Sequence, residues 1–217
     1  MLIKNDENIK VSTTKNGRFY YKFDEKGNKV TYPSVTTVIH YADGRKKSSG
    51  SPAAAIGSLT HYHILKKYAK KPLEFPTDPV WRMSAEEVHG RIDRALAMWQ
   101  KLNLDFEPIE VETALFNDHP IKFAGRLDLL AKMDGKLVLI DIKTGLPYDD
   151  HVIQGGAYWV ALDKEPDQVM YVYLDSIIER NPKQEGSIRI FNKEELTEGY
   201  EEFKRRYVDF IMPNVDD

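Results

Sequence analysis

The feature that most constrains the fold is the dipeptide Asp134-Gly135 between two largely apolar segments, residues 121–133 and 136–144. An Asp-Gly pair between apolar runs is a strong signal for the two-residue turn of a β-hairpin. Apolar residues on both sides of the turn are typical of strands in the middle of a sheet. The sequence therefore predicts a central antiparallel hairpin in this region.

The turn also predicts how the two strands pair. Counting outward from a two-residue turn, Asp128 faces Asp141 and, one step further, Arg126 faces Lys143. A four-residue loop keeps this register, whereas a three-residue loop makes the pairs diagonal. Because side chains alternate along a strand, we expect one face of the hairpin to carry the charged residues. The residues expected on this face are Arg126, Asp128, Leu130, Leu139, Asp141 and Lys143.

Two carboxylates facing each other across a hairpin repel, since directly opposed Cβ atoms are only about 4.5–5.5 Å apart. A cation between Asp128 and Asp141 would remove this repulsion, and hard oxygen ligands suit Mg²⁺ or Mn²⁺. Lys143 would then place an ammonium group beside a bound water or a phosphate. The alternative is a solvated hairpin edge without a ligand. The apolar flanks argue against it, because an unpaired carboxylate inside a sheet is costly.

The remaining pattern predicts an α/β protein in which helices pack on both sides of a mixed sheet. Residues 42–53 are polar and rich in Gly and Ser, which indicates a mobile loop. We expect a single domain over 1–217 with an N-terminal hairpin and loop extension at about 1–53. The predicted elements are a hairpin over 18–32, helices over 34–41, 54–70, 84–102, 150–162 and 193–211, and strands over 109–116, 168–176 and 187–191.

Composition excludes several classes of site. The 217 residues include no cysteine, which rules out disulfides, thiolate zinc sites, cysteine nucleophiles and an iron–sulfur cluster, and fits a reducing cytosol. A net charge of -3 gives no overall basicity, so nucleic-acid binding would need a local basic surface such as residues 44–47. No apolar run approaches the roughly 20 residues of a membrane span, and no signal peptide is visible.

Five short motifs follow one another between residues 32 and 158. They are Tyr32-Pro-Ser-Val-Thr-Thr37, Gly57-x-x-x-His61, Gly125-x-x-Asp128, Asp141-Ile-Lys143-Thr-Gly and Gln154-x-x-x-Tyr158. Together they resemble the PD-(D/E)XK nuclease superfamily, and especially its RecB-like branch. That branch includes phage exonucleases, CRISPR-associated RecB-like exonucleases and the mitochondrial genome maintenance exonuclease. The fold implied is restriction-endonuclease-like, a mixed β-sheet sandwiched by helices.

The resemblance implies a Mg²⁺ or Mn²⁺ site with His61, Asp128, Asp141 and the backbone carbonyl of Ile142 as ligands. Lys143 would position or deprotonate the attacking water and stabilise the charge that develops on the phosphate. The products implied are a 5′-phosphate and a 3′-hydroxyl.

Further residues are assigned to this site. Glu112 matches an acidic position that precedes the hairpin in several family members, and we count it as catalytic. Gln154 and Tyr158 share a helix face, and the resemblance implies that they contact DNA or orient Lys143; an ordinary amphipathic pair is the alternative. Arg126 and the hydroxyls of Ser34 and Thr36 are assigned to nucleic-acid binding, with helix capping as the alternative for the hydroxyls.

The function expected is a metal-dependent DNA exonuclease that acts on single-stranded DNA or DNA ends in replication, recombination or repair. The alternatives are an endonuclease of the same superfamily and a catalytically silent nucleic-acid-binding module. Residues 10–53 would close a channel for a single strand over the site. A replication or recombination protein is an expected further partner. The small size and the N-terminal motif suggest a phage protein acting in the host cytosol.

Overall fold

The computed structural model of the chain describes residues 9–14, 17–42, 51–77, 83–174 and 188–212. The strands in these ranges are β1 (Lys10–Thr14), β2 (Gly17–Phe23), β3 (Lys29–Pro33), β4 (Glu107–Asn117), β5 (Phe123–Met133), β6 (Lys136–Lys143), β7 (Gln168–Tyr173) and β8 (Ile188–Phe191). The helices are α1 (Val35–Ala42), α2 (Pro52–Leu65), α3 (Ala85–Leu102), α4 (Asp150–Ala161) and α5 (Lys193–Ile211).

A mixed five-stranded sheet with the order β4-β5-β6-β7-β8 occupies the middle of the molecule. Neighbouring strands of this sheet pair antiparallel, except that β6 and β7 are parallel and are connected through α4. A parallel pair needs such a crossover, because the chain must return to the end of the sheet from which it started. The predicted α/β class with a mixed sheet is confirmed.

The helices form a layer on each face of this sheet. On one face, α1, α4 and α5 contribute Val38, Ala157 and Phe203 to a core cluster that contains Leu139 of β6. On the other face, α2 and α3 contribute residues such as Trp99 to a second cluster with Ile140 and Ile142. Alternating residues of β6 therefore enter opposite cores, as expected for a strand buried on both sides.

The central hairpin has the predicted turn and register. Asp134 and Gly135 have φ angles of 50° and 76°, which two-residue hairpin turns of the primed type require. Pairing runs from Met133–Lys136 outward through Leu130–Leu139 to Leu129–Ile140. The ladder ends there, so neither the Asp128–Asp141 pair nor the Arg126–Lys143 pair that was expected beyond it forms. Arg126 pairs with Ala114 of β4 instead.

The expected common face of six residues is also corrected, because side-chain alternation breaks at Asp128. Leu127 belongs to the core cluster on the α4 side, whereas Leu129, two residues later, belongs to the cluster on the α3 side. Arg126 lies between Gly125 and Leu127 and therefore points away from α4. Leu130 and Leu139 point towards α4.

The cause of the break lies on β4. There Glu112 lies between the residues paired with Leu127 and Leu129 and has a φ of 50°. Such a left-handed backbone interrupts regular pleating and explains the break.

Helix α2 differs from the prediction at both ends. It begins at Pro52, with Ser51 as N-cap, and it ends at Leu65 rather than near Lys70. After Leu65 the backbone tightens, since the N–H of Tyr68 donates to the carbonyl of Leu65. The turn lets Tyr68 pack against Phe106 instead of following the helical stripe. Residues 43–50, which hold the predicted basic loop, lie outside the described residues.

A second, three-stranded sheet with the order β1-β2-β3 lies beside the end of the central sheet. Tyr20 and Tyr32 of this sheet pack in one cluster with Phe116 of β4 and Ala124 of β5. An isolated bridge joins Ser34 to Ala124, so the start of α1 is held next to β5. None of the helices in the described ranges combines the length and apolar character that a membrane span requires.

Candidate active site

Three acidic side chains converge from three adjacent strands. Glu112 lies on β4, Asp128 on β5 and Asp141 on β6, and His61 approaches them from α2. His61 Nδ1 lies 3.3 Å from Asp128 Oδ1. His61, Glu112 and Asp128 each offer one ligand atom, and these atoms lie within 4.8 Å of one another. These three residues could hold a metal ion.

The position of His61 depends on a close approach of α2 to the sheet. A Cβ at Gly57, one helical turn before His61, would lie 3.2 Å from Thr144 Oγ1 just beyond β6. A glycine at this position lets the helix approach the strand end without displacing Thr144. The motif Gly57-x-x-x-His61 therefore has a physical reason, since i and i+4 share a helix face.

Asp128 is held by the backbone of the neighbouring strand. Its Oδ2 accepts a hydrogen bond of 2.7 Å from the N–H of Ile142. This bond continues the contact between β5 and β6 beyond the last ladder pair and leaves Oδ1 directed at His61. Because the N–H and C=O of one strand residue point to the same side, the Ile142 carbonyl also faces β5.

Asp141 and Lys143 form an ion pair at the end of β6. Lys143 Nζ lies 2.6 Å from Asp141 Oδ1 and donates a 2.9 Å hydrogen bond to Gln154 Oε1. Gln154 Nε2 in turn donates to the Tyr158 hydroxyl at 3.1 Å. Both α4 residues are buried and share one face of the helix, so a chain of polar contacts fixes the lysine beside the carboxylates.

Tyr158 is itself seated against a glycine. A Cβ at Gly125 of β5 would overlap the Tyr158 ring at Cε1. The glycine of the motif Gly125-x-x-Asp128 therefore makes room for the tyrosine of the motif Gln154-x-x-x-Tyr158. Two motifs that are about thirty residues apart in sequence meet at one contact.

The pKa values of the three acidic side chains and of His61 are shifted because several charged groups lie close together in a buried site. Burial would lower the pKa of His61, but the charge and hydrogen bond of Asp128, with the charges of Glu112 and Asp141, raise it to about 9. Burial and the charge of Asp128 raise the pKa of Glu112. Burial also raises the pKa of Asp141 despite Lys143. Burial opposes ionisation of Asp128 as well, but His61 and its hydrogen bond hold the pKa of that carboxyl below its usual range.

Glu112 combines this electrostatic position with a strained backbone. Its φ of 50° is unfavourable for a residue with a long side chain and costs on the order of 1–3 kcal/mol. Arg126 Nη1 lies 3.6 Å from Glu112 Oε2 on the solvent side. Strain maintained at a cluster of like charges is typical of sites shaped for a ligand rather than for stability.

The cluster opens into a cavity of about 1150 Å³. Sites for small molecules usually measure about 300–1,000 Å³, so the space suits a longer ligand. Except for Ile142, which is buried, every residue that the sequence assigned to the site lines it. These residues are Ser34, Thr36, His61, Glu112, Arg126, Asp128, Asp141, Lys143, Gln154 and Tyr158.

The two hydroxyl residues at the start of α1 differ in their surroundings. Ser34 is buried, and its Oγ accepts from the N–H of Thr37 and lies 2.8 Å from Thr37 Oγ1. These contacts are those of a helix cap, the alternative considered for Ser34. Thr36 is half-buried at the cavity wall.

Sequence reasoning missed part of the cavity wall. Tyr62 and residues 68–77, which line it on the side of α2, were not assigned to the site, whereas Arg18 and Tyr20 belong to residues 10–53, which were expected to border it. Lys70 was interpreted as the end of a helix, and Lys71 as the start of a break after it. The lysine pairs at 66–67 and 70–71 were the available signal, since four lysines in six residues form a local basic cluster in a chain of net negative charge.

The fold and the geometry of the site agree with the protein family that the sequence matches. The family model of the PD-(D/E)XK nuclease superfamily matches residues 38–211, so the chain belongs to that superfamily. Membership makes it a nuclease of the metal-dependent kind with a nucleic-acid substrate, and the mixed sheet between helices is the restriction-endonuclease-like fold. No curated protein matches the chain. A solved chain described as the crystal structure of SSO0001 is 17% identical, with 82% of this chain and 83% of that chain covered and a TM-score of 0.36.

Proposed function

We propose that the protein is a Mg²⁺- or Mn²⁺-dependent DNA exonuclease of the RecB-like branch, acting on single-stranded DNA or DNA ends. The observation that carries the proposal is the convergence of His61, Glu112 and Asp128 within 4.8 Å, beside the ion pair of Asp141 and Lys143. A metal site supplied by strands and a helix, with an ammonium group next to it, can provide both the nucleophile and the charge stabilisation for phosphodiester hydrolysis.

The donor set fits a hard divalent cation. Carboxylate and carbonyl oxygens are the ligands that Mg²⁺ and Mn²⁺ prefer, and one imidazole is compatible with Mn²⁺. In this proposal His61, Asp128, Asp141 and the Ile142 carbonyl hold the ion, and Glu112 completes the acidic group. Burial and the charge of Asp128 raise the pKa of Glu112, and a cation there would offset this repulsion between the carboxylates. When bound, the ion lowers the pKa of a water molecule and polarises a phosphate oxygen.

Lys143 is the residue that acts directly on the reacting groups. Its ammonium group is held between Asp141 and Gln154, so its position is set before the substrate arrives. A fixed positive charge stabilises the negative charge that develops on the phosphate, because no reorganisation is needed during the reaction. Gln154 and Tyr158 are positioning residues in this scheme, since they reach the site through Lys143.

The assignment to an exonuclease rests on the shape of the cavity and on the resemblance to the RecB-like branch. The N-terminal sheet borders the cavity through Arg18 and Tyr20, with Thr36 of α1 beside them. Walls on two sides favour a threaded strand or an end over a long duplex. We include Arg126 among the DNA contacts, since its guanidinium group is half exposed at the rim. We further propose one nuclease domain over 1–217, with residues 1–53 as its N-terminal extension.

A matched pair of lysine variants tests the proposed chemistry. Lys143→Ala removes the ammonium group at the site, whereas Lys136→Ala removes an exposed lysine at the other end of the same strand. We expect single-turnover cleavage of linear DNA in Mg²⁺ to fall at least about a hundredfold in Lys143→Ala and to stay unchanged in Lys136→Ala. Full metal-dependent cleavage by Lys143→Ala would refute the assigned role.

A further inference from the structure

One part of the cavity wall, Tyr62 and Phe75 with Lys70 and Lys71, has no role in the chemistry described so far. We refer to these four residues as the aromatic–basic wall. Phe75 is 60% exposed, although it is a large apolar side chain. Its ring lies edge-on to Tyr62, with 5.1 Å between centroids and 78° between planes. All four residues line the same cavity as Asp141 and Lys143.

The wall is held in place by the segment that carries it. Residues 66–77 leave α2 and are anchored by Tyr68 and Leu73, which pack against the core cluster on the α3 side. The Tyr68 hydroxyl accepts a hydrogen bond from Trp99 Nε1, and Lys70 Nζ reaches the Ile109 carbonyl of β4 at 3.4 Å. Anchors of this kind fix the course of the segment across the cavity. The exposed side chains between and beyond them are therefore presented to the cavity by a held backbone.

Exposure of Phe75 has no structural explanation among its described contacts. A phenyl ring in water loses the free energy that burial would provide, and its T-shaped contact with Tyr62 covers at most one of its two faces. Lys70 and Lys71 supply positive charge beside the ring. Carboxylates do not balance this charge within residues 66–77, where Glu74 is the one acidic residue. Aromatic faces beside lysines are the combination that binds unpaired nucleobases and their phosphates.

We propose that the aromatic–basic wall binds the DNA strand on its way to or from the carboxylates, with an unpaired base stacked on Phe75 and a phosphate beside Lys71. This inference rests on the proposed function, because it names the form in which that site takes its substrate. The substrate is a single strand, since the bases of a duplex already stack on one another and offer no free face to a side chain. The wall therefore selects single-stranded DNA, or the unpaired end of a duplex.

Binding in the absence of cleavage tests the wall. The probe is a fluorescein-labelled oligo(dT), measured by anisotropy in EDTA with the full chain. Phe75→Ala is expected to weaken binding about 5- to 150-fold, the range that stacking of one base implies. Phe75→Trp should bind at least as tightly as wild type. Lys71→Gln should reduce the slope of log K against log salt by about 0.7, the value for one phosphate contact on a single strand.

Phe23→Ala is the matched control. Phe23 is 51% exposed and lies edge-on to Tyr21, but it is absent from the cavity wall. The wall is supported if Phe75→Ala weakens binding while Phe23→Ala and Phe75→Trp do not. It is overturned if wild type does not bind oligo(dT), if Phe75→Ala binds as wild type does, or if both alanine variants lose the same affinity.

The two proposals fail in different ways. If wild type cleaves DNA with Mg²⁺ but Phe75→Ala binds normally, the wall is wrong and the nuclease assignment stands. If binding depends on Phe75 but no metal supports cleavage, the wall stands and the nuclease assignment is wrong. Because Phe75 is largely exposed, its truncation leaves no buried cavity, and circular dichroism of each variant verifies the fold.

Discussion

Asp128 of β5 accepts a hydrogen bond from the backbone N–H of Ile142 of β6, at 2.7 Å, just beyond the last ladder pair of the two strands. A carboxylate thus takes the place of a backbone carbonyl at the point where the strands separate. The separation opens the sheet beside His61, and the hydrogen bond holds the second oxygen of Asp128 towards the imidazole. Sheet geometry and site geometry therefore depend on the same side chain.

This relationship predicts different stabilities for two variants. Asp128→Ala leaves the buried Ile142 N–H without its acceptor, whereas Asp128→Asn retains an oxygen there. We expect Asp128→Ala to be less stable than Asp128→Asn by about 1–3 kcal/mol in urea unfolding with EDTA present. Equal unfolding midpoints would show that the hydrogen bond contributes nothing to the fold. Neither variant should retain metal-dependent cleavage.

A divalent cation should stabilise the folded protein. Ligands that bind only the native state raise the free energy of unfolding, by about 2.7 kcal/mol when present at a hundred times Kd. We expect Mn²⁺ or Mg²⁺ to raise Tm in wild type and EDTA to reverse this. Asp141→Asn should abolish the shift, while Asp134→Asn, which alters a carboxylate in the hairpin turn, should retain it. A shift that persists in Asp141→Asn would place the ion elsewhere.

The contact between Gly125 and Tyr158 predicts a strong effect from one methyl group. Gly125→Ala would drive a Cβ into the Tyr158 ring, and displacement of the ring would disturb its hydrogen bond with Gln154. We expect a loss of about 1–3 kcal/mol in stability, together with a fall in kcat, because Lys143 loses its support. Gly145→Ala is the control, since a Cβ there meets nothing within 4 Å. Similar activities for the two variants would contradict the positioning role of Tyr158.

Acid should destabilise the protein through His151 on α4. Burial lowers the pKa of His151 to about 3, and the charges of Lys143 and Arg189 add to this. Its Nδ1 accepts from the N–H of Tyr148 and lies 2.9 Å from the Tyr173 hydroxyl, so the folded state holds the ring neutral.

The direction of this pH dependence follows from the two protonation states. In the unfolded chain His151 has its ordinary pKa of 6.5, so it binds a proton below that pH, whereas in the folded chain it stays neutral until about pH 3. Proton binding to the unfolded chain alone therefore lowers the free energy of unfolding as pH falls from 6.5 towards 3. We expect the difference in unfolding free energy between pH 7.5 and pH 5 to be smaller in His151→Gln than in wild type. An unchanged difference would exclude His151 as a source of acid sensitivity.

Much of the fold was predictable because local signals agreed with tertiary packing. The Asp134-Gly135 turn set the register of β5 and β6, and the helix predicted over residues 193–211 coincides with α5. The sequence motifs likewise identified side chains that meet in one cavity, because glycines at two motif positions allow the elements to approach closely.

What the sequence did not predict depends on tertiary contacts. The left-handed backbone of Glu112 and the break in alternation at Asp128 lie opposite each other where β4 pairs with β5, and no local pattern encodes them. The early end of α2 follows from the packing of Tyr68 against Phe106, which lies thirty-eight positions further along the chain. Lys70 was therefore assigned to the end of a helix and Lys71 to the break after it, although both line the cavity.

The most direct test of the central claim is cleavage of end-labelled linear single-stranded, linear double-stranded and closed circular DNA with Mg²⁺, Mn²⁺ or EDTA. We predict that wild type degrades linear DNA only when a metal is present, that closed circles survive, and that Asp141→Asn degrades nothing. Cleaved circles would contradict the exonuclease assignment while leaving the site intact. No cleavage by wild type in either metal, or equal cleavage by Asp141→Asn, would contradict the assignment of this site as the nuclease centre.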